Sequence, residues 1–253
     1  MGTSSSATGS GSKQPLVPPW ADDTPGKPLP QPQEGRFRSF RLAFGDHLAK
    51  GGEGGLKKAV GRYAREASGG SGVGPRRFGT AFRTGGDLYD VLSSLAGGGT
   101  AEEVAGVDLS GLQGQAMDIA CQEIARALAP DNADADMVQV AIEEAVYLAM
   151  EDQDEFDIGA LDDDRIAVIM GEFLAQAIFH ELSAQVGTAW NRSPSEERTT
   201  KTEEDLLELV RQVIDQKLAD EFRRSGRELS NQRAQEILRQ ATKETWAEWE
   251  TYE

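Results

Sequence analysis

Two histidines and one cysteine are the residue types in this chain that most often carry catalytic or metal chemistry. His180-Glu181 begins like the helical HExxH motif of zinc proteases, in which two histidines four residues apart bind the metal. The residue four positions on is Ala184, and His47 is the only other histidine, so the motif is incomplete. Both histidines stand beside apolar helical positions, which favours a partly buried structural role over a catalytic one.

The single cysteine, Cys121, falls on the apolar face of a predicted helix. A free cysteine in that position usually behaves as a small buried hydrophobe, so we expect no nucleophilic role. One cysteine can form neither an intramolecular disulfide nor a Cys-based zinc site within one chain. This usage is compatible with a reducing compartment, and we expect a cytoplasmic protein.

Two acidic runs and a glycine-rich loop are typical of ion binding, but each lacks a defining feature. DNADAD (131–136) and EDQDEFD (151–157) do not place a glycine at the sixth position of an EF-hand loop, so solvated helix-end charge is the preferred interpretation. GGSGVGPRR (69–77) lacks the GK[ST] ending of a P-loop. Two interpretations of this loop remain: it binds phosphate through its backbone N–H groups and Arg76/Arg77, or it is a plain interhelical loop. We predict no metal and no cofactor.

The apolar residues that position these candidates repeat with helical periodicity. The pattern covers residues 36–50, 56–67, 78–95, 113–128, 134–150 and, most strongly, 162–190. We expect Thr200 and Glu203 to form a capping box for the next helix and Ser230 to cap the last one. No convincing period-two strand pattern is found. The sequence therefore predicts an all-α fold, a multi-helix bundle.

Residues 1–35 have a different composition. They hold seven of the ten prolines, and the opening MGTSSSATGSGS is almost entirely small and polar. Such a segment has too little apolar surface to offset its ordering entropy, which predicts a disordered tail followed by an extended Pro-rich linker. PLVPPW (15–20) is the exception, because Leu16, Val17 and Trp20 suit a groove on the body or on a partner.

The net charge of -17 is distributed unevenly. Residues 36–83 hold eleven Lys/Arg against three Asp/Glu, whereas residues 91–253 hold 13 Lys/Arg against 35 Asp/Glu. We therefore divide the chain into a tail and linker (1–35), a basic helical region (36–97) and an acidic helical bundle (98–253). No run approaches the roughly 20 apolar residues that cross a bilayer, so we expect no membrane contact.

The basic region offers a binding face with three alternative uses: contact with the acidic half of the chain, with another protein, or with nucleic acid. The large acidic remainder would repel phosphates, which weakens the last alternative. The arginines that define this face are Arg36, Arg38, Arg41, Arg62, Arg65, Arg76 and Arg77.

Five segments together resemble the QatB component of the bacterial Qat anti-phage system. They are MGTSSSATGSGS, PLVPPWADD, RFRSFRLAFG, GGSGVGPRR and the closing ETWAEWETY, the first two being the most specific. The resemblance implies three partners: QatC, which is similar to 7-cyano-7-deazaguanine synthases, a P-loop ATPase and a TatD-like nuclease. The family has no recognised catalytic motif, so the resemblance implies a protein that is not an enzyme.

The resemblance also implies a role for the N-terminus. A synthase of that type activates a deazaguanine carboxylate with ATP, and the Gly2 amine, with a pKa near roughly 8, is an unhindered acceptor. Thr3, Ser4 and Ser5 would follow it to the partner's active site. MGTSSS also fits the N-myristoylation pattern, which a bacterial setting disfavours, and the local sequence alone favours a leader that only solvates.

The rival function, from another class, is a nucleic-acid-binding adaptor that uses the basic 36–83 region to serve a defence nuclease. An enzyme with an unfamiliar site is a third and more remote alternative, because no His, Cys or metal-ligand cluster converges in the sequence.

Overall fold

The computed structural model describes residues 14–52, 54–225 and 229–253. Of the predicted tail and linker 1–35, residues 1–13 lie outside the described residues. Within these ranges there is no β-strand, only an isolated bridge between Ala116 and Glu155, so the all-α prediction is confirmed. The α-helices in the described ranges are α1 (Arg38–Lys50), α2 (Gly55–Arg62), α3 (Gly79–Ala96), α4 (Glu102–Ala105), α5 (Met117–Ala127), α6 (Ala135–Ala149), α7 (Asp163–Val186), α8 (Glu196–Ser225) and α9 (Asn231–Trp249).

The start of α9 is set by the predicted cap. Ser230 Oγ accepts a hydrogen bond of 3.2 Å from the backbone N–H of Arg233, which satisfies one of the unpaired N–H groups of the first turn. At the start of α7, Asp162 Oδ1 accepts in the same way from the N–H of Arg165 at 2.8 Å. Short polar side chains therefore fix the beginnings of both helices.

The predicted capping box at Thr200 and Glu203 is wrong. Helix α8 begins earlier, at Glu196, and Thr200 lies inside it. The cap is Ser195, whose Oγ accepts from the N–H of Arg198 at 3.2 Å. Ser195 is followed by two glutamates, whose negative charge suits the first turn of a helix, and this combination outcompetes the similar pattern five residues later.

The chain forms two compact units. Unit 1 comprises Met1–Gly79, Ile178–Gln212 and Thr242–Glu253, and unit 2 comprises Thr80–Ala177 and Val213–Ala241. Each unit combines segments that are distant in the sequence. This grouping follows contacts, whereas the three-part division of the sequence follows composition, and that division stays a prediction.

The core of unit 1 is a connected set of aromatic rings. Phe44 lies edge-on to Trp190 with ring centroids 4.9 Å apart, and Phe40 lies 5.2 Å from Tyr63. Trp246 continues the set, with its ring 6.2 Å from that of Tyr63. Edge-to-face pairs of this kind add roughly 0.5–1.5 kcal/mol each beyond the burial of their area. Further members are Phe78 and Trp249.

The core of unit 2 is mainly aliphatic and lies between the apolar faces of its helices. Gly85 on α3 shows how closely they approach, because a Cβ at that position would overlap the side chain of Leu238 and press on Phe173. A ring pair, Tyr89 and Phe222, is also present at 5.7 Å. The fully buried aliphatic residues include Leu88, Leu92, Ile124, Val138, Ile142, Val146, Ile169 and Leu174.

The segment Asp163–Arg192 is long and apolar enough, by length and composition, to cross a membrane. In the structure 83% of its most apolar window is buried. The buried central helix of a protein core passes the same test. The segment was predicted to lie at the centre of the core, and its burial agrees with that position.

Candidate functional site

Residues 14–28, which we call the strap, pack within unit 1. Val17 and Ala21 are buried, at 1% and 0% exposure. The backbone pairs with the start of α3 and the turn before it: Asp23 N–H donates to the Arg76 carbonyl at 3.0 Å, and Gly79 N–H donates to the Ala21 carbonyl at 2.9 Å. Docking on the body, one of the two alternatives for PLVPPW, is thus observed for Val17, whereas Trp20 is 45% exposed.

Arg76 holds the strap through one guanidinium group. Its Nε and Nη2 donate to the two carboxylate oxygens of Asp22 at 3.0 and 2.8 Å. Further hydrogen bonds reach the carbonyls of Thr24, Lys27 and Pro28 at 2.9, 2.8 and 3.3 Å. This set of contacts is called the Arg76 clasp. The hydrogen bonds from Arg76 hold the pKa of the Asp22 carboxyl below its usual value, so the ion pair persists at neutral pH.

A cavity of about 360 Å³ lies between the strap and the helices of unit 1. One wall is the N-terminal part of the strap, including Trp20, and the other carries polar and charged side chains. The cavity-facing groups from the helices and loops include Arg36, Phe37, Tyr63, Ser68, Arg77, Glu181 and Gln185.

Glu181, the acidic half of the incomplete zinc motif, is a buried structural carboxylate in this cavity. It pairs with Arg77 at 3.1 Å and accepts from Gln185 Nε2 at 2.9 Å. The Tyr63 hydroxyl lies 3.5 Å away, a long hydrogen bond. Burial and the Glu181 charge raise the pKa of Tyr63 well above its usual value, so its hydroxyl stays protonated.

Arg36 lines the same cavity as Glu181 and is only 6% exposed. Its Nη2 donates to the Pro15 carbonyl at 3.2 Å, and its guanidinium carbon lies 4.7 Å from the centre of the Phe37 ring. Its Nε and Nη1 are buried and have no hydrogen-bond partner among the described residues. Burial lowers the pKa of Arg36, although the charge of Glu181 opposes this effect.

The other arginines of the predicted basic face have separate positions. Arg41 Nε donates to the Gln185 carbonyl at 2.9 Å, and Arg62 donates to the Ser39 carbonyl at 3.2 Å. Arg65 donates to the carbonyls of Glu250 and Tyr252 at 2.7 and 2.6 Å. Arg38 is exposed. Several of these contacts reach residues beyond 98, so part of the face does meet the acidic half of the chain.

The glycine-rich loop binds a carboxylate of its own chain. Ser71 N–H donates to Glu250 Oε1 at 2.7 Å, and Ser71 Oγ donates to Oε2 at 2.9 Å. Gly74 allows Trp246 to approach, because a Cβ there would overlap the indole nitrogen. That nitrogen donates to Ser68 Oγ at 2.9 Å. Glu250 is not predictable from the sequence as a partner of this loop, because its only local signal is its place beside the closing tryptophans.

The remaining candidate among the described residues, Cys121, belongs to unit 2, whereas the cavity residues belong to unit 1. Cys121 is buried in unit 2, and burial, followed by the charges of Glu143 and Asp118, raises its pKa to about 12. Among the described residues no group of three or more His, Cys, Asp or Glu is placed to hold a metal ion. Gly2, Thr3, Ser4 and Ser5 lie outside the described residues.

Fold and site together define an all-α protein with a proline-rich strap docked by an arginine clasp over a charged cavity. The model of the family "Qat anti-phage system associated protein QatB" matches residues 69–249, which is well over half of the chain. The chain therefore belongs to the QatB family and is a component of an anti-phage defence system. No curated protein and no solved structure gives a significant match.

The family match extends from the glycine-rich loop to the closing tryptophans. It includes the GGSGVGPRR segment with Arg76 and Arg77, and it ends at Trp249. The strap and the MGTS opening, the most specific parts of the resemblance, lie before the matched range.

Proposed function

We propose that this chain is a non-catalytic cytoplasmic component of its defence system, that it binds a QatC-like partner similar to 7-cyano-7-deazaguanine synthases, and that it presents Gly2 to that partner. The Qat ATPase and the TatD-like nuclease are further candidate partners. Family membership supports a place in the defence system. The choice of partner and the role of Gly2 rest on the resemblance of the sequence.

The observation that carries the proposal is the anchoring of the strap. The Arg76 clasp and buried Val17 attach the chain to unit 1 directly after the N-terminal segment. The twelve residue steps between Gly2 and Gln14 span at most roughly 40 Å when extended. A body that docks the partner within that distance raises the effective concentration of Gly2 at the partner's catalytic centre.

The proposed reaction forms an amide. The partner converts a deazaguanine carboxylate and ATP into an acyl-adenylate and pyrophosphate. After removal of Met1, the neutral Gly2 amine attacks the acyl carbon, AMP leaves, and the amine loses one proton. An N-terminal amine has a pKa near roughly 8, so an appreciable neutral fraction is present at physiological pH. This chain supplies only the nucleophile.

Coexpression with the QatC-like partner, followed by co-purification and intact-mass measurement, tests both parts. We expect a stable complex and a mass increase equal to one deazaguanine acyl group, located on the N-terminal peptide. A Gly2→Pro variant keeps Met1 removal but offers a hindered secondary amine, and we expect it to bind without the mass increase.

The two parts can fail separately. A complex with an unmodified N-terminus, under conditions where the partner is active, refutes the acceptor role and leaves the partner role standing. Absence of a complex refutes the partner role. A mass increase of the same size in cells without the partner assigns the modification to another enzyme.

A further inference from the structure

Helix α6 carries apolar side chains on two faces. On its outer face, Val140, Tyr147 and Leu148 are 38%, 55% and 37% exposed. A helix that packs one face against a core normally carries polar residues on the other face. The core of unit 2 does not require these three side chains, because the inner face of α6 already fills it with fully buried residues: Val138, Ala141, Ile142, Ala145 and Val146.

The three exposed side chains form a row along α6, which we call the outer stripe. Val140 is followed by Tyr147 seven residues later and by Leu148 eight residues later. Positions with this spacing lie on the same side of an α-helix, about two turns or roughly 12 Å apart. Single exposed apolar residues are common on protein surfaces, whereas adjoining ones are typical of interaction sites.

The outer stripe lies in a strongly acidic part of the chain. Residues 127–164 contain 13 Asp/Glu and neither Lys nor Arg. Two of these acids, Asp136 and Glu144, are exposed on the same side of α6 as the stripe. The next cation along the chain, Arg165, is already paired with Asp152 at 2.8 Å. Such a surface attracts cationic groups and repels nucleic acids and anionic membranes.

The form of the outer stripe favours a helical occupant over an extended one. An extended peptide usually adds to the edge of a sheet, and the described residues contain no β-strand. An amphipathic helix instead lays apolar side chains at positions i, i+3, i+4 and i+7 against an apolar row of this length. Lysines or arginines beside those positions would face the acidic residues that flank the stripe.

We propose that the outer stripe docks a basic amphipathic helix of another protein. The apolar side of that helix covers Val140, Tyr147 and Leu148, and its cationic side chains face Asp136 and Glu144. This inference goes beyond the function proposed above, because it requires neither the QatC-like partner nor the acceptor role of the N-terminus.

Fluorescence anisotropy of a labelled peptide measures this docking on the full-length chain. The probe is a helix-forming peptide of leucine and lysine, about 18 residues long, with its leucines on one side. A peptide of the same composition with its leucines spread around the helix has the same charge and serves as the control. We expect the amphipathic peptide to bind saturably and at least about tenfold more tightly than the control peptide.

A double variant, Val140→Ser with Tyr147→Ser, keeps every acidic residue and removes most of the apolar contact. We expect it to bind the amphipathic peptide at least about tenfold more weakly than the unaltered chain does. The matched control is Leu42→Ser, which removes an apolar side chain of 49% exposure from α1 and should leave the affinity unchanged. Circular dichroism should show the same helix content in all three proteins, because the substituted side chains lie outside the cores.

Equal affinity of the two peptides for the unaltered chain overturns the proposal, because charge alone then explains the binding. This outcome does not depend on the folding of any variant. Unchanged affinity in the well-folded double variant also overturns the proposal, because the peptide then binds elsewhere. Sedimentation without peptide tests a second copy as the occupant: a dimer that the double variant dissociates refutes the docking of a partner helix.

Discussion

At the scale of single residues, burial changes what the candidate groups can do. Glu181 belongs to an incomplete zinc-protease motif in the sequence, but in the structure it is a buried carboxylate bound by Arg77 and Gln185. Cys121 and His47 are likewise buried, at 2% and 8% exposure. Desolvation disfavours the charged form of each group, so it raises the pKa of the thiol and lowers that of the imidazole.

The Cys121 thiol is expected to be nearly inert in the folded protein. With a pKa of about 12, its thiolate fraction at pH 8 is far below that of a free cysteine, and burial also blocks the reagent. We expect Ellman's reagent to react at least about a hundredfold more slowly with the folded chain than with the chain in guanidinium. Comparable rates in the two states would show that Cys121 is accessible.

His47 makes stability depend on pH. Burial lowers its pKa below the usual 6.5, Arg198 lowers it further, and Asp205 opposes both effects more weakly. Below about pH 6.5 the unfolded chain therefore binds a proton at His47 that the folded chain does not. The contribution of neutral His47 to the free energy of unfolding is complete above that pH and is lost as the pH falls through the pKa of the folded state.

Urea unfolding between pH 7.5 and about 5.5 measures this effect, in a range above the titration of most carboxylates. We expect the free energy of unfolding to fall less steeply with acidification in His47→Gln than in the unaltered chain. His180→Gln, which changes the other histidine, serves as the matched control. Identical slopes in all three proteins would assign the pH dependence elsewhere.

At the scale of elements, the strap depends on one side chain. Arg76→Gln removes the ion pair with Asp22 and most hydrogen bonds of the clasp. The Arg76 and Asp22 side chains are 11% and 7% exposed. Breaking such a buried pair costs about 2–4 kcal/mol. Hydrogen–deuterium exchange should therefore accelerate in residues 14–28, while the amides of α5 and α6 keep their protection.

Arg38→Gln is the matched control for this experiment, since it removes an exposed arginine from the same unit. We expect its exchange in the strap to equal that of the unaltered chain. If Arg76→Gln also leaves the strap amides unchanged, burial of Val17 and Ala21 is sufficient to hold the strap, and the clasp is not its main attachment.

The sequence predicted the helices well because their signal is local. The apolar repeat of 162–190 and the Ser230 cap are complete within a few turns, and both are found in the structure. The start of α8 was misplaced because Ser195 and Thr200 are chemically similar caps only five positions apart in the sequence. The pairing of Ser71 with Glu250 spans 179 residues, so no local pattern reveals it.

At the scale of the whole molecule, charge sets the expectation for nucleic acid. The chain carries a net charge of -17, and most arginines of the basic face are already bonded within unit 1. We expect no saturable binding of labelled DNA or RNA at about 150 mM salt, as measured by fluorescence anisotropy. The nucleic-acid adaptor nevertheless stays the rival prediction.

Binding that weakens with salt and disappears in Arg38→Glu would favour that rival. Arg38 is the suitable position, because charge reversal at Arg36 or Arg41 would also break contacts within the fold. Lys201→Glu, on α8, changes the net charge of the chain by the same amount as Arg38→Glu. It is therefore the control for a general electrostatic effect.

The Arg76 clasp joins residues 54 positions apart in a chain whose only cysteine has no thiol partner. Closing a loop of that length with a covalent bridge removes about 4 kcal/mol of chain entropy from the unfolded state. A guanidinium–carboxylate pair does not restrict the unfolded chain. Folding must therefore offset this loss of entropy each time the loop closes. In return, no reductant is needed to open the loop.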